Sequence, residues 1–563
     1  MKRLRIFLIS LLALIVILFV ARKPIKQYLQ HRIQEKLLEF INTSPDRLYD
    51  YAVDHIDISV IGGNTILKGV RIMPRAGAFD SLQQTRTGYL IEAVVDSVAL
   101  NGLGLYNLFV EGSIHIQRIL VGEVDFKYAM NSAYERPDSI VRKPFVLKDM
   151  FSAKLKKAYV RRVELRNIDF ISDDIQTKEA FLTRFDSAQM VLKEIYTDEE
   201  VMKGAQPFTY ESFELSARRF ISTKIKGHTV RVESFRLNTS DKEIILKGAA
   251  FGPTDFDYNN PEKQFIRSIN DIAADEVRLS GINFDSWQNV GWVEIRKVQV
   301  ANPRIRISMD HRWPKPMFER EFLQARLSHI PFPILIDTIS ATGGQIYYRE
   351  IFTDGKPPLI LTFSDAMAQF LNVTNLPSRI EKDPNIKFTA SAKFLDVGNL
   401  TVKTDFRMND TMNPFHLTLS LYAMPLATLN PILEGQAHAR LDGQLNTLAM
   451  NVQANRKGAH GDFIFDYTGL KVEIFKVKET KKGVKIKKNW LVNSLVNPIL
   501  RTNNHVDQAN FKGGNISYVR PPDVSFFGMT WQCLKDGMMS TLIPGNHDKP
   551  KKESKGKSKK KGK

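Results

Sequence analysis

The stretch Val163-Glu164-Leu165-Arg166-Asn167-Ile168-Asp169-Phe170 alternates apolar and polar residues, skips one step, and alternates again. Side chains two apart share one face of a β-strand, so strict alternation would put Ile168 and Phe170 opposite Val163 and Leu165. One extra residue at the skip, a β-bulge, returns both pairs to the same face and bends the strand. The same spelling recurs at Val98, Leu100, Leu103 and Leu105, at Ile114, Ile116, Ile119 and Val121, and at Val230, Val232, Phe235 and Leu237. It returns at Val277, Leu279, Ile282 and Phe284, and at Val293, Ile295, Val298 and Val300. Repeated skips predict a sheet curved around one apolar surface. In the copies that contain glycine, a tight turn at the skip is the alternative.

A longer regularity surrounds these stretches. Asp96-Ser97-Val98-Ala99-Leu100-Asn101-Gly102 matches Asp275-Glu276-Val277-Arg278-Leu279-Ser280-Gly281 at an offset of 179, and the offset still holds when Ile114–Val121 is set against Val293–Val300. A constant offset over such a span points to a duplicated β-unit. From Val53 to about residue 475 the period is two, with few intervals of helical spacing, so the reading is all-β. Ile386, Phe388, Ala390, Ala392 and Phe394 give the longest clean alternation. Trp490–Leu500 and Phe526–Leu542 return to helical spacing and are expected to cap an open end of the β-structure.

The N-terminus reads differently. Lys2, Arg3 and Arg5 precede an apolar run from Ile6 to Ala21, which as a helix of 1.5 Å per residue is roughly 24 Å long, short of a hydrocarbon core of about 30 Å. No small-x-small cleavage pattern ends the run, so an uncleaved signal-anchor with a cytoplasmic N-terminus is expected; a cleaved signal peptide is the alternative. Ile25, Leu29, Ile33, Leu37 and Ile41 then recur every four residues behind Pro24, an amphipathic helix that packs on the next domain or lies on the membrane surface. The expected fold is mainly β, an elongated curled antiparallel sheet forming a groove, with an N-terminal transmembrane helix and short amphipathic helices at both ends. The expected segments are an anchor (1–21), a juxtamembrane helix (22–44), a repeated β-region (45–333), a second β-region (334–478), a linker and capping region (479–544) and a lysine-rich tail (545–563).

Charge and motif content exclude much. The formal charge is +19, but residues 549–563 hold nine lysines against one glutamate, leaving +11 on the other 548 residues. Nucleic acid is therefore not an expected partner; the tail suits acidic headgroups or anionic polymers. Cys533 alone rules out an intramolecular disulfide or a thiolate metal cluster. No His-Glu-x-x-His, nucleophile elbow or phosphate-binding loop occurs, so neither an enzyme nor a cofactor is implied. What remains is apolar area on one face of a bent sheet, covered either by a second sheet, as in a sandwich, or by acyl chains. On the second reading the groove is lined by Val98, Leu100, Ile114, Ile116, Val163, Leu165, Val230, Val232, Val277, Leu279, Val293 and Ile295.

The layout resembles the AsmA-like family of bacterial envelope proteins. The resemblance rests on the short anchor and helix, on Val53-Asp54-His55-Ile56-Asp57-Ile58 and Leu67-Lys68-Gly69-Val70-Arg71-Ile72, and on Gly343-Gly344-Gln345-Ile346-Tyr347-Tyr348. It also rests on Phe363 through Asn372-Val373-Thr374-Asn375, on Pro425 through Pro431, on Leu441-Asp442-Gly443 and on Gly461 through Val472. It implies an inner-membrane anchor, a periplasmic body shaped as an open β-groove, and phospholipid movement toward the outer membrane, with no catalytic residues to carry over. The lysine tail and the moderate length depart from the family. About 25 strands at about 4.8 Å each reach near 120 Å, which implies an outer-membrane or periplasmic protein partner rather than a complete bridge. A membrane-anchored assembly factor acting by protein binding is the alternative.

Overall fold

The computed structural model describes residues 49–59, 64–75, 89–103, 113–130, 157–174, 182–201, 208–225, 227–254, 268–286, 291–314, 318–353, 355–480, 483–488 and 501–542. The anchor Ile6–Ala21, the helix Pro24–Ile41, the helix Trp490–Leu500 and the lysine tail lie outside them. Among the described residues no helix is long and apolar enough to cross a membrane. The chain is mainly β and divides into two compact units, Met1–Asp255 and Phe256–Lys563.

In the first unit β1 (Tyr49–Ser59), β2 (Asn64–Pro74) and β3 (Tyr89–Asn101) form an antiparallel meander. Next come β4 (Ser113–Ile116), β5 (Arg118–Val121) and β6 (Val124–Met130); β5 and β6 pair antiparallel with β3. All three run parallel to the long β7 (Lys157–Asp174). The meander then resumes through β8 (Thr183–Asp198), β9 (Ser212–Ser222), β10 (His228–Asn238) and β11 (Glu243–Pro253). The expectation of a wholly antiparallel sheet is thereby corrected to a mixed one. Parallel pairing needs a long crossover, and residues 131–156 supply the length.

The second unit repeats this plan. β12 (Ser268–Ile282) pairs antiparallel with β13 (Val293–Ala301) and β14 (Arg304–Asp310), and both run parallel to β15 (Ile334–Ile351). An antiparallel meander follows through β16 (Leu359–Thr374), β17 (Asn385–Phe394), β18 (Gly398–Arg407), β19 (Phe415–Pro425), β20 (Ala439–Asn455) and β21 (Gly458–Thr480). β21 also pairs with β22 (Gly483–Lys488) and β23 (Gly514–Val519). The helices are α1 (Leu323–Ser328), α2 (Pro377–Lys382), α3 (Asn430–Ala437) and α4 (Phe526–Leu542). α4 has the bounds that its apolar spacing gives. Ile334, the first residue of the expected second β-region, is the first residue of β15.

The duplication is carried in the register itself. Tyr49↔Pro74, Val98↔Val121 and Tyr89↔Met130 in the first copy correspond, 179 residues on, to His228↔Pro253, Val277↔Val300 and Ser268↔Met309. Beyond the long crossover the offset shifts, yet Phe170↔Phe185 still answers to Ile346↔Phe363, and the bulge at Leu165/Ile168 to the one at Ala341/Gly344. Connections vary in length; strand alignment does not. Backbone details repeat too: φ is +62° at Gly69 and +59° at Gly248, and at each a Cβ would run into a neighbouring acidic side chain, Asp54 or Glu233. Only glycine adopts that conformation without strain and leaves the acid its place.

Burial separates the two units. In the first, every substantial contact is between laterally paired strands, and no helix or second sheet packs on it among the described residues. In the second, a closed core forms where α4 lies on β21 and β23, around Leu417, Met450, Val452, Phe463, Ile516, Met529 and Cys533. Burial pushes the Cys533 thiol up to about 12, so it stays protonated and serves as packing.

Candidate functional site

Cross-strand partners share a face, so register pairs can be followed across the sheet like a row of tiles. One row in the first unit runs Ile56, Leu67, Val98, Val121, Leu165, Met190, Leu215, Leu237 and Ile244, with one residue each from β1, β2, β3, β5, β7, β8, β9, β10 and β11. All are aliphatic or Met. A second row runs Val53, Val70, Val95, Val124, Ile168 and Ala188. On β8 the two rows meet at Ala188 and Met190, two residues apart and hence on one face. On β7 their members are Leu165 and Ile168, three apart, with a register shift between them. The skip in the sequence is therefore a bulge that keeps both rows on the same apolar face.

The residues between the rows line up as well: Asp54-His55, Lys68-Gly69, Asp96-Ser97, Gly122-Glu123 and Arg166-Asn167. Four strands and the link between β5 and β6 thus carry their extra residue at one level, a polar crease beside an apolar face. Further along the strands, Phe126, Phe170, Phe185, Phe235 and Phe220 join into a ribbon of rings. Phe126–Phe170 and Phe170–Phe185 stack at 5.7 and 4.7 Å, and Phe185 and Phe220 meet Phe235 edge-on at 6.4 and 6.2 Å. Except for buried Ile56, the residues of the first row are half-buried, as are all five rings. A wide apolar face on which no layer packs among the described residues is what distinguishes this unit.

Val98 and Leu165 lie in the first row, and Leu100 and Val163 one step along it, paired through Ile119. Val232 faces Phe220 and Val230 faces Phe251 and Ser222. Ile114 and Ile116 pair with Ala158 and Val160 on the far segment of β7, beyond a bend at Gln117. The other four candidates belong to the second unit. There Val277 begins a row through Val300, Ala341, Ala368, Ala390, Val402, Leu419, Met450 and Phe463, and Leu279 begins the next through Val298, Ile339, Phe370 and Phe388. Val293 and Ile295 pair with Ile334 and Ile336. The second-unit row is half-buried from Val277 to Val402 and fully buried from Leu419 onward, where α4 begins to cover it. Met190, Leu215, Ile244, Phe126, Phe185 and Phe220 were not singled out in the sequence, because none sits in a complete skip pattern; only pairing brings them to the face that already held Phe170 and Phe235.

Alternate positions carry charge. Glu164, between Val163 and Leu165, is 6% exposed and is held by Arg118, Arg162 and Arg166. Burial opposes its charge, but the three guanidinium hydrogen bonds outweigh it and hold the carboxyl at about 2. Because the folded value lies below the ordinary 4.5, its stabilisation is full above that range and is lost as pH falls toward about 2. Replacing Glu164 by Ala leaves three arginines facing one another and is expected to cost about 2 kcal/mol in urea unfolding at pH 7, with the difference from wild type shrinking as pH is lowered below 4. A constant difference across that range would contradict the assignment.

Arg520 donates to the carbonyls of Arg320, Arg456, Pro522 and Val524 and stacks on Phe322, which makes it a tie between loops. Among the described residues no three His, Cys, Asp or Glu side chains gather to hold a metal ion. No protein-family model matches the chain, and no curated protein matches it in sequence.

Proposed function

We propose that this protein binds lipid by laying acyl chains along the apolar rows of the first unit and their counterparts on β12–β17, and that it transfers lipid without catalysis. The observation that carries the reading is the nine-strand aliphatic row over which, among the described residues, no layer packs. Each buried methylene contributes about 0.8 kcal/mol and needs no directional partner, so a chain of variable length and unsaturation is accommodated by the same surface. The polar crease and the charged reverse face keep the sheet in water while the apolar face does not favour it. Phospholipids or other acylated lipids are the expected cargo.

The AsmA-like layout extends the proposal to place and purpose: a single-pass anchor at Ile6–Ala21 in the bacterial inner membrane, a periplasmic body, and a part in phospholipid movement toward the outer membrane and in envelope integrity. The deciding experiment is mass spectrometry of lipid retained after mild extraction and size exclusion. Retained phospholipid supports the reading. A lipid-free preparation that captures outer-membrane proteins would replace it with an assembly role, by strand addition at an open sheet edge. The topology has its own test. Full-length protein is expected in the inner-membrane fraction, with the body reached by protease only after the outer membrane is opened, and a mature N-terminus beyond Ala21 would defeat the anchor.

A further inference from the structure

α4 is amphipathic in an inverted sense. Its inner side carries Met529, Cys533, Gly537, Ser540 and Thr541, all buried against β21 and β23. Asp536 accepts the backbone N–H of Ser517, and Ser540 that of Asn515, so the helix is fastened and cannot simply roll over. Its outermost line, every fourth residue, reads Phe527, Trp531, Lys535 and Met539. Phe527 is 77% exposed, Trp531 53% and Met539 41%; Val519, at the end of β23, is 84% exposed. A helix that already buries one face ordinarily turns charge outward. This one turns out two aromatic rings, a methionine and one lysine whose long stem lets its ammonium rise to water.

Seven residues beyond the last residue of α4 the chain enters a segment with nine lysines and one glutamate in fifteen residues. Trp and Phe favour the interfacial zone of a bilayer, and clustered lysine favours anionic headgroups. A weakly inserted apolar face and a polybasic segment are the two signals that together give stable peripheral attachment, where either alone gives little. We propose that the outer face of α4 docks on an anionic bilayer surface, with Phe527, Trp531 and Met539 in the headgroup–acyl boundary and the lysines of 549–563 on the headgroups. This contact is separate from the N-terminal anchor and does not depend on lipid binding by the first unit.

The test reads α4 locally, so that the anchor does not mask it. In the full chain, Lys535→Cys in a Cys533→Ala background carries an environment-sensitive fluorophore, and the protein is presented to vesicles containing brominated phospholipid. Quenching is expected with equimolar phosphatidylglycerol and phosphatidylcholine in low salt. It should be lost with phosphatidylcholine alone, on deletion of residues 549–563, and in the double variant Phe527→Ser, Trp531→Ser, whose thermal midpoint should not move because both side chains point to solvent. Absence of quenching with the anionic vesicles overturns the proposal. So does equal quenching with and without residues 549–563. Crosslinking from position 535 to a protein in intact cells, with no quenching in vesicles, overturns it in favour of a protein partner.

Discussion

Leu165→Asp is expected to abolish retention of lipid while leaving the protein folded. Leu165 sits mid-row, flanked laterally by Val121 and Met190 and along the strand by Val163 and Ile168. A carboxylate there would either stay charged against hydrocarbon or take up a proton to enter it, a cost of several kcal/mol for any chain lying across the row. Retained lipid should fall by about a hundredfold or more by mass spectrometry, since each 1.4 kcal/mol is a factor of ten. The residue is half-buried, and among the described residues no layer lies over it, so water reaches the new carboxylate in the lipid-free protein and the circular dichroism spectrum should not change. Arg231→Asp, on the exposed alternate position between Val230 and Val232, is the matched control and should retain lipid at the wild-type level. Equal loss in both variants would mean that charge, not the apolar face, governs binding.

The second large effect is expected at Gly537. A Cβ at this position of α4 would run into the ring of Phe463, which is itself 1% exposed. Glycine here lets a helix and a strand approach to backbone distance, and a leucine would force them apart. Gly537→Leu is expected to cost about 3 kcal/mol and to lower the melting temperature by about 5–10 °C. Cys533, the only cysteine of the chain and 1% exposed, reports the same event chemically. Its thiol should be silent toward a maleimide in the native protein and react readily once α4 lifts from β21. A variant with native melting and a silent thiol would show that the helix is not fastened at this point.

Much of the fold was legible in sequence, and the reason is physical. Alternation and its interruption are side-chain signals, and Val163-Glu164-Leu165-Arg166-Asn167-Ile168 spells a bulge because an apolar face tolerates nothing else in that register. The repeat was legible for the same reason: Asp96 to Gly102 and Asp275 to Gly281 meet equivalent neighbours, so equivalent residues are kept. Amphipathic spacing likewise located α4. The parallel pairing of β4, β5 and β6 with β7 was not legible, because it depends on where a long connection returns the chain, and side-chain period says nothing of that. The same blindness hid the partners Met190 and Leu215, which join the apolar face only through pairing. Nor could period distinguish an open face from a covered one. Val98 and Leu417 have the same alternating context, yet one is half-buried on a sheet that no described element covers and the other is 1% exposed in the core that α4 helps to close. The covering element comes about a hundred residues later in the chain, out of reach of any local pattern.

The conserved register has a consequence for how such a chain can change in length. Each strand of the described sheets answers chiefly to the strand on either side, and the extra residues stand level from one strand to the next. The block from β1 to β9 is followed by β10–β11, whose register repeats that of β1–β2, interruption included, so the block presents at its end the pairing with which it began. Insertion or loss of a whole block leaves every remaining junction chemically unchanged, whereas a change of a single strand would reverse chain direction and misplace the crease. Length in this architecture is consequently counted in blocks rather than residues, as in a solenoid. α4, which lies on β21 and β23 instead of extending the strand order, stands outside that count and covers the sheet where it packs.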